Sequence, residues 1–128
     1  MISLENFHSV DVLPIYLQMI RHVKQGLAAG TVQNGDELPS RRILSATLAV
    51  NPNTVQKAYR QLEEEGLIQS RPGAGSHITA SSGQVEHIRQ ELFQTEVQET
   101  VAAMKRMGLK KEEAVELLRR LYDEEEEG

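Results

Sequence analysis

Asn53, Gln56, Lys57 and Arg60 stand three, one and three residues apart, a spacing that gathers them on one side of a helix. Their side chains are hydrogen-bonding groups rather than catalytic ones. An amide such as Asn53 or Gln56 pairs with an adenine edge, and a cation such as Lys57 pairs with guanine acceptors. Ahead of them come Ser40, Arg41 and Arg42, and between Leu38 and Leu62 there are four basic residues and no acidic one. Ser40, Thr54 and the amides at the starts of two helices are natural phosphate partners. Downstream, Arg71 lies beside Gly73 and Gly75, glycines that let a backbone approach a ligand closely. The set fits an anionic partner read through hydrogen bonds. Read by charge alone, the same residues also fit an ordinary solvated face.

The elements that position these groups can be read from punctuation and period. Pro14 suits the first turn of a helix, followed by a buried stripe of Tyr16, Ile20, Val23 and Leu27 and a stop at Gly30. A loop follows, with a short strand expected at Glu37–Leu38. Ser40 is the expected cap of a second helix, whose apolar side is Ile43, Leu44 and Leu48. Asn51 caps a third helix with Pro52 in its first position. Val55, Ala58, Tyr59 and Leu62 face the core, and Gly66 is the stop. Tyr59 therefore reads as core rather than as a stacking group. Helices two and three are joined by a tight turn, the helix-turn-helix arrangement. "LIQSRPGAGSHITA" then reads as a β-hairpin about a Pro/Gly turn, so that three helices and a hairpin make a winged helix.

The expected organisation is a winged helix over residues 1–80, a flexible joint at Ser81–Gln84, and a helical segment over 85–128. In that segment Val85, Ile88, Leu92, Phe93, Val97, Val101 and Met104 mark a long amphipathic helix ending at Gly108. Val115, Leu118 and Tyr122 mark a shorter one before the acidic tail, Glu124–Glu127, expected to fray. The fold class is thus mainly α. The two apolar stripes exceed what two helices bury against each other, which predicts a two-fold homodimer with these residues as its interface.

Composition narrows the function. The chain has 128 residues, 39% hydrophobic and 26% charged, as in an ordinary globular protein. Without cysteine there are no disulfides, thiolate metal sites or cysteine nucleophiles. The absence of a long apolar run or a leader-like N-terminus makes a soluble cytoplasmic protein the expectation. The net charge of −5 conceals a division. Residues 1–83 hold seven basic and seven acidic residues, while 84–128 hold seven basic and twelve acidic. Four scattered histidines, His8, His22, His77 and His87, offer neither a metal-binding pair nor a partnered nucleophile, so no catalytic residue, metal or cofactor is expected.

The run "PIYLQMI…GDELPSRRILSATLAVNPNTVQKAYRQLEEEGLIQSRPGAGSHI" closely resembles the DNA-binding domain of GntR-type bacterial transcription regulators. The segments "LPSRR", "VNPNTVQKAYRQLEEEGLI" and "RPGAGS" match in order and spacing over about half the chain. The remainder resembles the YtrA-like branch, whose C-terminal part is a pair of dimerisation helices. The resemblance implies a repressor that binds an inverted-repeat operator in double-stranded DNA as a homodimer, with a neighbouring transporter operon as its target. It also assigns a DNA contact to Arg42. A small-molecule effector is left unspecified by any motif. The competing reading is a winged-helix protein-interaction module that does not bind DNA. Four residues depart from the family pattern: Ala49 in a turn that favours positive φ, Ser45 at a small apolar position, His77 in the wing, and Lys110 at a helix start. A half-buried strand histidine and a DNA contact are both open for His77.

Overall fold

A computed structural model describes residues 13–127, with side chains through 124; His8 and the side chains at the end of the acidic tail lie outside that range. The elements run α1 (Ile15–Ala29), α2 (Arg41–Leu48), α3 (Pro52–Glu64), β1 (Ile68–Arg71), β2 (Gly75–Ile78), α4 (Ser82–Arg106) and α5 (Lys111–Glu127). They form two compact units that divide between Arg89 and Gln90.

The first unit is a winged helix. α3 is its centre, packed against α1, α2 and β1. Val55, Ala58, Tyr59 and Leu62 of α3 are buried together with Ile20 and Leu27 of α1, Leu67 and Ile68, Ile78 and Ala80, and Ile88. Each fully buried branched or aromatic side chain contributes roughly 1.5–3 kcal/mol, so this cluster carries the fold. β1 and β2 pair antiparallel with Ile68 opposite Ile78 and Arg71 opposite Gly75. The expected strand at Glu37–Leu38 is a single bridge from Glu37 to His77.

Backbone hydrogen bonds terminate the helices where glycine stops were expected. After α3, the Leu67 N–H donates to the Leu62 carbonyl at 3.0 Å and the Gly66 N–H to that of Glu63 at 2.9 Å. Gly66 has φ 75°, and Leu62 and Leu67 are both buried, which completes a Schellman motif with its apolar contact. α2 closes the same way on Ala49, the one non-glycine residue with positive φ among those described. The Val50 N–H donates to the Ser45 carbonyl at 3.1 Å, and the Ser45 hydroxyl returns a 2.7 Å bond to the Val50 carbonyl. Ser45 is thus a satisfied core hydroxyl.

Three expectations are corrected. Ile43 and Leu48 are exposed, at 62% and 48%, although they were assigned to the inner side of α2. The cap at Ser40 and the Ser45–Val50 bond fix the rotation of α2 with Ser45 inward. Ile43 then lies about 200° around the axis from Ser45, facing out. The joint expected at Ser81–Gln84 is the capped start of α4. The Ser81 N–H donates to Gln84 Oε1 at 2.7 Å and the Gln84 N–H to Ser81 Oγ at 3.1 Å, a reciprocal capping box. Finally, Ile88, expected at the dimer interface, is buried in the core of the first unit, where Val85 is half-buried.

In the second unit, α4 ends on Gly108 (φ 77°) with the Leu109 N–H bonded to the Met104 carbonyl at 3.0 Å. Lys110 precedes α5 without a capping hydroxyl, but its N–H is accepted by Glu113 Oε1 at 3.3 Å. α5 runs through Glu127, where fraying was expected. Between Gln90 and Glu124 no described side chain is buried. Phe93, Val97, Val101, Val115, Leu118 and Tyr122 are exposed, and so are Met107 and Leu121, which the spacing argument did not single out.

Candidate nucleic-acid interface

The starts of α2 and α3 are held by side-chain caps. Ser40 Oγ accepts the Ile43 N–H at 3.1 Å, and Asn51 Oδ1 accepts the Asn53 N–H at 2.8 Å. Pro52 occupies the first position of α3. A shallow open depression lies between the two helices, lined by Arg41, Arg42, Ser45, Ala46, Pro52, Asn53 and Gln56. Arg42 and Asn53 are exposed, and Thr54 and Gln56 half-exposed. Four of the residues expected to contact DNA, Arg41, Arg42, Asn53 and Gln56, thereby line one concavity.

The others are distributed differently. Arg60 is exposed farther along α3. Lys57 is exposed, with Nζ 4.0 Å from the centroid of the Tyr16 ring on α1. At an exposed site such a cation–π contact is worth roughly 0.5–1 kcal/mol, less than a good base contact at about 1–3 kcal/mol. Tyr16 therefore parks the ammonium without withholding it. Arg71 is at the wing tip, within 3.4 Å of Gln69 Oε1. Pro72 and Gly73 fill the centre of the turn, with Gly73 at φ 78° and the Ala74 N–H bonded to the Arg71 carbonyl at 3.0 Å, as in a type II turn. Gly75, also at positive φ, passes so close to Glu37 that a Cβ would stand 3.3 Å from Oε1. His77 is half-buried in β2, opposite Gln69.

Arg41, Ser40 and Asn51 are partly or wholly engaged within the chain. The two cap side chains are used as acceptors, and the α3 amides expected to meet phosphate are occupied, Asn53 by the cap and Thr54 by the Asn51 carbonyl at 2.9 Å. Arg41 has partners within the chain. Its guanidinium carbon is 5.0 Å from the Tyr59 ring centroid, and Nη2 reaches Glu63 Oε1 at 3.2 Å and Ser70 Oγ at 3.3 Å. Tyr59 in turn donates its hydroxyl to the Pro39 carbonyl at 2.6 Å, pinning the segment that leads into α2. Burial raises the Tyr59 pKa, and the Arg41 charge offsets part of that rise.

The acidic end of α3 is similarly occupied. Glu63 pairs with Arg41, and Glu65 with Lys24 of α1 at 2.9 Å. The partners missed by spacing arguments are Tyr16, Glu63, Ser70, and Ser76, whose hydroxyl lies 2.7 Å from that of Ser70. Only Glu63 carried a signal, as the first acid after an acid-free run. Among the described residues no cluster of His, Cys, Asp or Glu could hold a metal, and no helix is long and apolar enough to cross a membrane.

A profile described as bacterial regulatory proteins, gntR family, matches residues 15–78, from the start of α1 to the end of the wing. The chain is 39% identical to the HTH-type transcriptional repressor YtrA of Bacillus subtilis, over 63% of this chain and 67% of that one. A GntR family transcriptional regulator from Listeria monocytogenes superposes with a TM-score of 0.74 at 30% identity, covering 86% of this chain and 96% of its own. The DNA-binding domain of AraR, solved in complex with operator ORX1, matches 57% of this chain and 88% of its own at 25% identity and a TM-score of 0.51.

Proposed function

The chain belongs to the gntR family of bacterial regulatory proteins, and from that membership we propose that it acts as a homodimeric repressor reading an inverted repeat in double-stranded DNA. It is a transcription regulator with a helix-turn-helix DNA-binding domain, not an enzyme. The observation that carries the proposal is the concavity between α2 and α3, where Arg42, Asn53 and Gln56 converge and none of the lining residues is acidic. The start of α3 enters the major groove, with Asn53 and Gln56 at base edges and Arg42 on the backbone. Lys57 leaves Tyr16 to join them, Thr54 and Arg60 flank the groove, and Arg71 follows the wing to the backbone or minor groove.

Dimerisation is supported by the second unit, which exposes apolar side chains along both helices and buries none. A second copy would cover them and present two reading heads to half-sites about 34–36 Å apart. Control of a neighbouring transporter operon rests on the YtrA-like resemblance alone. It is checked by transcript levels of the adjacent genes in a deletion strain.

The decisive experiment is selection of duplexes by the parent protein from a randomised pool, followed by Arg42→Ala and Gln56→Ala on the selected duplex. Arg42→Ala should weaken binding across all sequences and reduce the salt slope by about one. Gln56→Ala should relax one base position per half-site, by about 1–3 kcal/mol. Failure to enrich an inverted repeat, or full affinity in both variants, would remove the assigned face.

A further inference from the structure

Arg41, Glu63, Ser70 and Ser76 come from α2, α3, β1 and β2, yet they join in one chain of hydrogen bonds. We propose that this chain is a brace that sets the position of the wing, making Glu63 and Ser70 positioning residues for DNA binding. Arg41 then acts through the wing rather than on the DNA. The proposal deepens the reading of Arg71 as a wing contact and rests on it.

The polarity of the chain can be worked out atom by atom. Ser70 Oγ has one proton, and Glu63 Oε1 beside it has none, so Ser70 donates to Glu63. The lone pairs of Ser70 are left to accept from Arg41 Nη2 at 3.3 Å and from Ser76, which must therefore be the donor across 2.7 Å. Glu63 also accepts directly from Arg41. Ser70 has all its capacity used, and Arg41 bridges two acceptors with one nitrogen. Arg41 Nε is shut from solvent with no acceptor of its own, and Nη2 is committed to Glu63 and Ser70, although the side chain as a whole stays 35% exposed.

The location gives the brace its leverage. A two-stranded hairpin is marginal by itself. Here its base is anchored by buried Ile68 and Ile78, and its β2 side by the Leu38 N–H, which donates to the Ser76 carbonyl at 2.9 Å. Ser70 and Ser76 face each other one step before the tip, where Arg71 pairs with Gly75. The brace is thus the tie on the β1 side that stands next to Arg71. Without it, the tip pivots about the apolar base and carries Arg71 with it.

The test uses the duplex that the parent protein selects from a randomised pool. Glu63→Gln keeps the shape of the side chain and should weaken that duplex roughly tenfold at fixed salt. In the DNA-free protein it should speed amide exchange in β1 and β2 about tenfold, with helix content unchanged. Arg41→Gln should do the same. In an Arg71→Ala background neither substitution should lower affinity further, because the group they position is gone. If Arg41 touched DNA itself, Arg41→Gln would still weaken binding in that background. Glu63→Gln alone would then hold or raise affinity by releasing the arginine, and the proposal would fall. Unchanged wing exchange in Glu63→Gln and Ser70→Ala would show there is no brace. Full affinity in Arg71→Ala alone would instead sink the wing-contact reading, and with it the role given to the brace, even if exchange quickens.

Discussion

Ala49 sits at φ 53° and ψ 44°, a conformation in which its Cβ crowds the following carbonyl. For an L-residue this costs roughly 1–2 kcal/mol, and glycine would avoid it while losing about 0.5–1 kcal/mol to its greater freedom when unfolded. Ala49→Gly should therefore stabilise the first unit by roughly 0.5–1 kcal/mol, seen as a rise of several degrees in Tm. No rise, or a fall, would mean that the turn holds alanine without strain. Tyr59 gives a second prediction at this scale. Its pKa is held above 10.0 by burial, against the smaller opposing pull of Arg41. The folded state then keeps a proton that the unfolded chain loses, so this contribution is full below pH 10 and lost as pH rises through the folded value. Denaturant midpoints should fall as pH rises past about 10, and Tyr59→Phe should flatten part of that fall.

At the scale of elements, the capping box of α4 is the clearest test. Ser81→Ala should cost about 1 kcal/mol and quicken amide exchange in the first turn of α4, while Ser82→Ala should do neither. The same four residues show where sequence reading worked and where it did not. α1, α3, the wing and the stops at Gly30, Gly66 and Gly108 were legible, because each has a local signature in apolar period or positive-φ glycine. "SSGQ" also has a local signature, serine with glutamine three residues on, but its small residues read as a flexible joint. The outward turn of Ile43 was not legible. The rotation of a short helix is set by its tertiary bonds, here from Ser40 and Ser45, more than by its own pattern. The partners of Arg41 within the fold were not legible for a similar reason. Adjacent arginines are about 100° apart around a helix, and only the fold shows which one meets Glu63.

For the whole molecule, the division after Arg89 matters more than the one first expected at residue 80. A chain ending at Arg89 keeps Ile88 in its core, whereas one ending at Ser82 loses it. The shorter chain should be less stable by roughly 1.5–3 kcal/mol, measured by denaturant unfolding. Both should sediment as monomers if the dimer is built from the second unit. In the full chain, Val97→Glu with Val101→Glu should give the same result, because both positions are exposed on α4 and would face a partner copy. A double variant that still sediments as a dimer would move the interface elsewhere.

The wing turn has a consequence for proteolysis. Exposed loop tips are where proteases nick folded chains, and Arg71 puts a trypsin-type cleavage residue at such a tip. The next residue is Pro72, which has no amide hydrogen and a ring where the protease needs space. The basic residue at the wing tip is therefore shielded by its own successor. Lys110 and Lys111, exposed where α4 gives way to α5, have no such shield. Limited digestion should cut there while the wing stays whole, and Pro72→Ala should open the Arg71 bond to cleavage.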